Sequence, residues 1–197
     1  MELEFHMSKA IIFEGIPGAG KTTLMNSISS ELNLEGIPEI LATRKEWDFA
    51  RSTEDQDFFW ENDIKKMYLA KNSLKTTLMD RGYVSTLAYN YAKVVLSGCG
   101  SYSYLFYKYK KDILDNNLKA DFYIFIDIPI QLSFLRKQRT IKKNDPWQDP
   151  VYLNEIRKFY RFFLEDIEGN VPILKLDGTC PLLKNVKEVQ SKILSLI

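Results

Sequence analysis

Residues 15–22 read Gly15-Ile16-Pro17-Gly18-Ala19-Gly20-Lys21-Thr22: a glycine, four residues, then Gly-Lys-Thr. This is the spacing of a phosphate-binding loop, in which backbone N–H groups face an anion, the lysine neutralises terminal phosphates and the hydroxyl helps to hold Mg²⁺. Glycine permits the close backbone approach that such a cradle needs. A glycine-rich turn without a ligand is the plain alternative, and the flanking sequence argues against it. Ala10 to Phe13 is an apolar run that feeds the loop, and Leu24, Met25, Ile28 and Leu32 recur at helical spacing after it. Strand, loop and helix in that order aim N–H groups and a positive helix end at one point. The nucleotide-binding residues expected from this are Gly15, Pro17, Gly18, Ala19, Gly20, Lys21, Thr22 and Thr23, with Thr22 on the metal.

Asp80 and Arg81 form a second pair with chemical potential, directly after the short apolar run Leu78-Met79. If that run is a strand parallel to the first, the pair lies at the carboxyl edge of the sheet beside the phosphate loop, the usual ligand crevice. An Asp-Arg pair capping a surface helix is the plain reading.

The elements that must position these residues alternate. Strands are predicted over Lys9–Glu14, Glu39–Thr43, Leu78–Met79, Asp121–Asp127 and Val171–Leu176. Helical patterns fill the gaps, at Phe58–Leu69, Tyr83–Leu96, Tyr104–Leu114, from Asp149 to about Ile167, and over Val186 to Ile193. Such alternation with short connections predicts an α/β fold, a parallel sheet of about five strands with helices on both faces. Arg136, Lys137, Arg139, Lys142 and Lys143 crowd together ahead of Asn144-Asp145-Pro146 and read as a basic flap, though Lys142 and Lys143 equally suit a solvated loop.

Composition narrows the partners. The 197 residues are 45% hydrophobic, enough for a core, and 27 basic against 26 acidic side chains leave a net charge of +1. No global field then favours nucleic acid or an acidic membrane, and no apolar run approaches the roughly 18 residues of a membrane span. Cys99 and Cys180 lack disulfide-framework or metal-ligand spacing, which suggests a reducing, cytoplasmic setting. Residues 1–7 read as a tail or added remnant ahead of one domain over 8–197, with Met7 an alternative start. His6, the only histidine, falls in that tail, so histidine chemistry is not expected.

The stretch Met79-Asp80-Arg81-Gly82-Tyr83-Val84-Ser85-Thr86-Leu87-Ala88-Tyr89-Asn90 resembles the thymidylate kinase segment, in which an Asp-Arg pair precedes a Ser-rich helix start and a Leu-Ala-Tyr-Gln run. Deoxynucleoside kinases have a similar Glu-Arg-Ser. The resemblance extends over nearly the whole chain. It includes Thr43-Arg44, where the family has Thr-Arg-Glu-Pro, Asp127-Ile128-Pro129 for a strand-end Asp-Val-Pro, and Leu176-Asp177-Gly178-Thr179 near the adenine site. It implies a P-loop kinase fold using ATP and Mg²⁺, with a small basic lid over about 136–148. Asp80 would then organise the metal or the acceptor, and Arg81 would hold a phosphate. Lid residues Arg136 and Arg139, three apart on one helix face, would meet charge on the transferring group. Arg44, Phe59, Ser85 and Asn90 fall where the acceptor is bound; Asn90 replaces the usual glutamine, and placing Phe59 on the family pattern puts Asp63 where an arginine reads the base.

The leading expectation is therefore transfer of the ATP γ-phosphoryl group to a nucleoside monophosphate, thymidylate first. The acceptor is a small-molecule nucleotide or nucleoside, and a homodimer is left open. The nearest rival phosphorylates a nucleoside hydroxyl and needs a carboxylate base after the second strand. With that strand at Glu39–Thr43, Ala42-Thr43-Arg44 offers none in place, although Glu46 keeps the rival alive. A nucleotide-binding module without transfer activity would need neither Asp80-Arg81 nor a basic lid. GTPase switches are disfavoured because no N-K-x-D string occurs.

Overall fold

The computed structural model describes residues 8–137 and 146–197. Strands β1 (Ala10–Glu14), β2 (Glu35–Ile37), β3 (Thr77–Asp80), β4 (Phe122–Asp127) and β5 (Ile173–Asp177) form one sheet in the order β2-β3-β1-β4-β5. All four pairings are parallel. β1 is buried along its whole length, which is why its sequence is a continuous apolar run rather than an alternating one.

Helix α1 (Lys21–Leu32) packs with α8 (Leu182–Leu194), whereas α4 (Tyr83–Ser97) packs with both α3 (Gln56–Asn72) and α7 (Pro150–Phe162), and helices cover both faces. Shorter helices α2 (Arg44–Thr53), α5 (Tyr102–Lys108) and α6 (Ile130–Lys137) connect them. The predicted helix over Tyr104–Leu114 begins at Tyr102 and ends in a π-helical turn, Tyr109–Leu114, that buries Tyr109 and Ile113. Among the described residues no helix is long and apolar enough to cross a membrane.

One element departs from the sequence reading. The second strand is Glu35–Ile37, and residues 39–43 are not a strand. Pro38 has no N–H for the ladder, and the Thr43 side chain closes a capping box with Glu46, accepting from the Glu46 N–H while the Glu46 carboxyl accepts from the Thr43 N–H at 2.8 Å. Thr43 thereby starts a helix rather than ending a strand.

Behind the sheet, the fully buried carboxyl group of Glu168 accepts from the hydroxyls of Tyr109 at 2.6 Å, Tyr123 at 2.9 Å and Tyr83 at 3.1 Å. This fastens the start of α4, the π-helical turn and β4 to the end of the α7 segment. Tyr123→Phe removes one of these donors from a site closed to water. It should cost about 1–3 kcal/mol, the range for leaving a buried polar group unsatisfied, read as a lowered urea midpoint with unchanged slope.

Candidate active site

The segment between β1 and α1 is shaped by its glycines. Gly15 has φ 146° and lies so close to β4 that a side-chain carbon there would overlap the Ile126 carbonyl oxygen. Gly20, at φ 94°, is the N-cap of α1 and turns the chain into the helix. Lys21 is 5% exposed, and its ammonium donates to the carbonyls of Gly15 at 2.9 Å and Ile16 at 3.2 Å. Burial, reinforced by the Arg81 guanidinium, pulls the Lys21 amine down to about 7, while Asp80 and Glu39 act in the opposite direction.

β1 and β3 pair with Phe13 opposite Asp80, so Asp80 ends its strand beside the loop. One carboxyl oxygen of Asp80 accepts the Thr22 hydroxyl. The other is buried without a hydrogen-bond partner. An unsatisfied buried carboxyl oxygen next to a threonine hydroxyl is a hard oxygen donor set, and these residues therefore fit Mg²⁺.

Arg81 adopts a left-handed backbone conformation, φ 61°, which is costly for a residue with a side chain. Its guanidinium donates through one terminal nitrogen to the Gly15 carbonyl at 3.2 Å, the Ser85 hydroxyl at 3.0 Å and the Tyr160 hydroxyl at 3.2 Å. Its Nε lies 3.1 Å from the Glu39 carboxyl. Burial opposes the charged form, but Glu39, Tyr160, Glu14 and Asp80 outweigh it and hold the guanidinium charged. Ser85 also donates to Glu14 at 2.7 Å, and the Gly82 N–H donates to the other oxygen of Glu14 at 3.0 Å. Burial raises the Glu14 carboxyl to about 7 against the attraction of Arg81.

Of these groups, Lys21, Thr22, Glu39 and Arg81 line a cleft of about 430 Å³, together with the rest of the loop from Pro17, Thr23 and Arg136. Arg136, on the last turn of α6, donates to the carbonyls of Gly18 at 3.1 Å and Gly178 at 2.9 Å, joining the loop to the segment after β5. Pro17 is held there by the Ser133 hydroxyl at 2.6 Å, and buried Ala19 packs in the core. Arg139, Lys142, Lys143 and His6 lie outside the described residues, as does most of the expected lid.

Of the expected acceptor residues, Arg81 lines this cleft and Ser85 touches it only through Arg81, whereas Arg44, Phe59 and Asn90 do neither. Arg44 begins α2 with its side chain 79% exposed and paired with Asp48. Phe59 packs edge-on against Trp47 at 5.3 Å and Phe58 at 5.6 Å. Asn90 is buried, donating to Gln56 at 2.6 Å and accepting from the Ser101 N–H at 3.2 Å, so its amide ties α4 to its neighbours.

Glu14, Glu39 and Lys66 join this network although the sequence reading gave them no role in the site, and Asp63, which it placed only at the family's base-reading position, joins it as well. Glu39 is the first carboxylate after the strand as it is actually formed, so the objection that the second strand lacks one in place rested on a misplaced strand. Asp63 is buried and accepts from Thr86 at 2.7 Å, with burial lifting its carboxyl to about 6. Lys66 is wholly buried, and burial lowers its amine despite Asp63 and Glu39. The available signals were a glutamate ending an otherwise apolar strand and a buried stripe on α3 that reads Asp63, Lys66, Met67 and Ala70.

No protein-family model matches the chain. A probable thymidylate kinase of Thermoplasma volcanium is 30% identical over 191 residues, spanning 91% of this chain and 94% of that protein. A thymidylate kinase of Leptospira borgpetersenii is 25% identical over 177 residues, 78% of this chain and 80% of that one. Among solved structures, deoxyadenosine kinase from M. mycoides with bound dATP superimposes with a TM-score of 0.77 at 18% identity, covering 93% of this chain and 98% of that one. The fold is thus that of the P-loop kinases, and with 30% identity sustained along nearly the full length of both sequences, the chain belongs to the thymidylate kinase family.

Proposed function

We propose that this chain transfers the γ-phosphoryl group of ATP to a nucleoside monophosphate, thymidylate being the first candidate. The observation that carries the reading is the convergence of Lys21, the Thr22–Asp80 pair and Arg81 on one edge of the phosphate loop. The names of the relatives support the choice of acceptor.

The loop N–H groups and the end of α1 bind the phosphates, and Lys21 places charge at the terminal ones. Thr22 and Asp80 would hold Mg²⁺, which when bound neutralises charge on the nucleotide oxygens. Arg81, at the Gly15 carbonyl, and Arg136, at the Gly18 carbonyl, present fixed cations to the loop, and Arg139 is proposed to join them from the lid. Such preset charges stabilise the transferring group without reorganising as it moves.

A second reading is favoured by one specific contact, the Glu39–Arg81 ion pair. A carboxylate held at the acceptor edge suits a nucleoside hydroxyl, which must lose a proton, whereas a monophosphate already presents an anionic oxygen.

Incubation with ATP, Mg²⁺ and a panel of nucleosides and monophosphates, with products identified by mass, tests both. Nucleoside diphosphates as products uphold the first reading. Monophosphates formed from nucleosides establish the second, and Glu39→Gln should then lower turnover about 10²–10⁴-fold, the usual worth of a general base. Under the first reading the same variant should mainly raise acceptor KM.

Lys21→Ala should lower turnover on the order of 10²–10³-fold, as expected for losing one preset electrostatic contact, with the circular dichroism spectrum preserved. Asp80→Asn should lower kcat far more than it weakens ATP binding measured by titration. Unchanged turnover in either variant removes that residue from the site.

A further inference from the structure

We propose that Lys66 is a positioning residue whose ammonium locks the Asp80–Arg81 pair to the Glu39 loop. The proposal deepens the phosphoryl-transfer reading above and rests on it. Lys66 comes from the middle of α3, is wholly buried, and donates to the carbonyl oxygens of Asp80 at 2.7 Å, Arg81 at 2.8 Å and Glu39 at 3.2 Å. An ammonium has three donors, and here each has one acceptor.

None of these acceptors belongs to α3. Asp80 ends β3, Arg81 follows it and Glu39 follows β2, so one side chain joins the two chain segments whose side chains meet in the Glu39–Arg81 ion pair. The Asn62 amide, on the same helix, also donates to the Glu39 carbonyl at 3.0 Å and accepts from the Leu41 N–H at 2.9 Å. That loop has no ladder of its own and depends on α3 for its course.

The Arg81 carbonyl is the acceptor that matters most. Its residue holds the unfavourable left-handed conformation, which persists only when its surroundings over-determine it. The Lys66 bond to the carbonyl fixes the peptide plane, and the guanidinium then reaches Gly15, Ser85, Tyr160 and Glu39 together. Burying an ammonium is expensive, and an apolar side chain would fill the same space without that cost. Its placement on these carbonyls is what a pre-set site requires.

Lys66→Met, its apolar near-isostere, tests this. With the best acceptor, kcat should fall on the order of 10²-fold, as for a small misplacement of a reacting group. KM for ATP should stay within about twofold, because the phosphate loop keeps its own contacts. On an Arg81→Ala background the same substitution should cost little more, since Lys66 acts through Arg81. Native turnover in Lys66→Met, or losses that multiply in the double variant, would overturn the proposal.

The native protein supplies a readout independent of folding in the variant and of activity. With ¹⁵N-labelled lysine, two slowly exchanging ammonium signals are expected, from Lys21 and Lys66. Added ATP should move one and leave the other. Absence of the second, unmoved signal overturns the proposal, while a protein that shows it yet phosphorylates no acceptor overturns only the functional reading.

Discussion

Arg81 is charged, largely enclosed with its side chain 14% exposed, and strained at once, and most of the site can be understood as the means of keeping it so. A guanidinium removed from water must find an acceptor for its donors and a compensating charge. Glu39 supplies the charge, and Gly15, Ser85 and Tyr160 supply acceptors from the phosphate loop, α4 and α7. Each acceptor is itself fixed: Ser85 by Glu14, the Gly15 carbonyl also by Lys21, and Tyr160 by its place in the core. Removing any one leaves a buried polar group short of a partner, so the network behaves as a unit.

This charge density has a consequence for the acids and bases around it. Lys21 and Glu14 are both brought to about 7, from opposite sides of the scale, because burial penalises whichever form carries charge. Phosphates entering the loop add negative charge next to Lys21 and so favour its ammonium form. The cleft is thus arranged for an anionic ligand although the chain as a whole is close to neutral.

The sheet makes the convergence possible. In the order β2-β3-β1-β4-β5 the chain passes to β3 on one side of β1 and to β4 on the other, so the carboxyl ends flanking the phosphate loop come from different parts of the sequence. β3 delivers Asp80, whereas β4 and β5 deliver Asp127 and Gly178. Asp127 pairs with Arg157 and Arg161 of α7, with Nε of Arg157 at 2.5 Å, so the strand-end aspartate anchors that helix. Arg136 then ties α6 to the loop and to Gly178. The Glu39 side of the cleft is built differently, from a loop that relies on side-chain contacts with α3.

What the sequence by itself determined is the part in which neighbours along the chain do the work. The phosphate loop is eight consecutive residues whose conformation depends on its own glycines, and β1, α1 and β4 announce themselves through local periodicity. Asp80 and Arg81 were legible because they adjoin an apolar run. Tertiary structure decided where buried charges find partners. Lys66 lies 14 residues from Asp80 and 27 from Glu39, and nothing local distinguishes it from a solvated helix lysine. The end of β2 was set by Pro38 and a helix cap against an apolar run that looked like a strand, and this moved Glu39 into the site and Arg44 out to solvent. A burial cost that only distant groups can offset leaves no pattern in the neighbouring residues, which is why these contacts emerged only once the chain was folded.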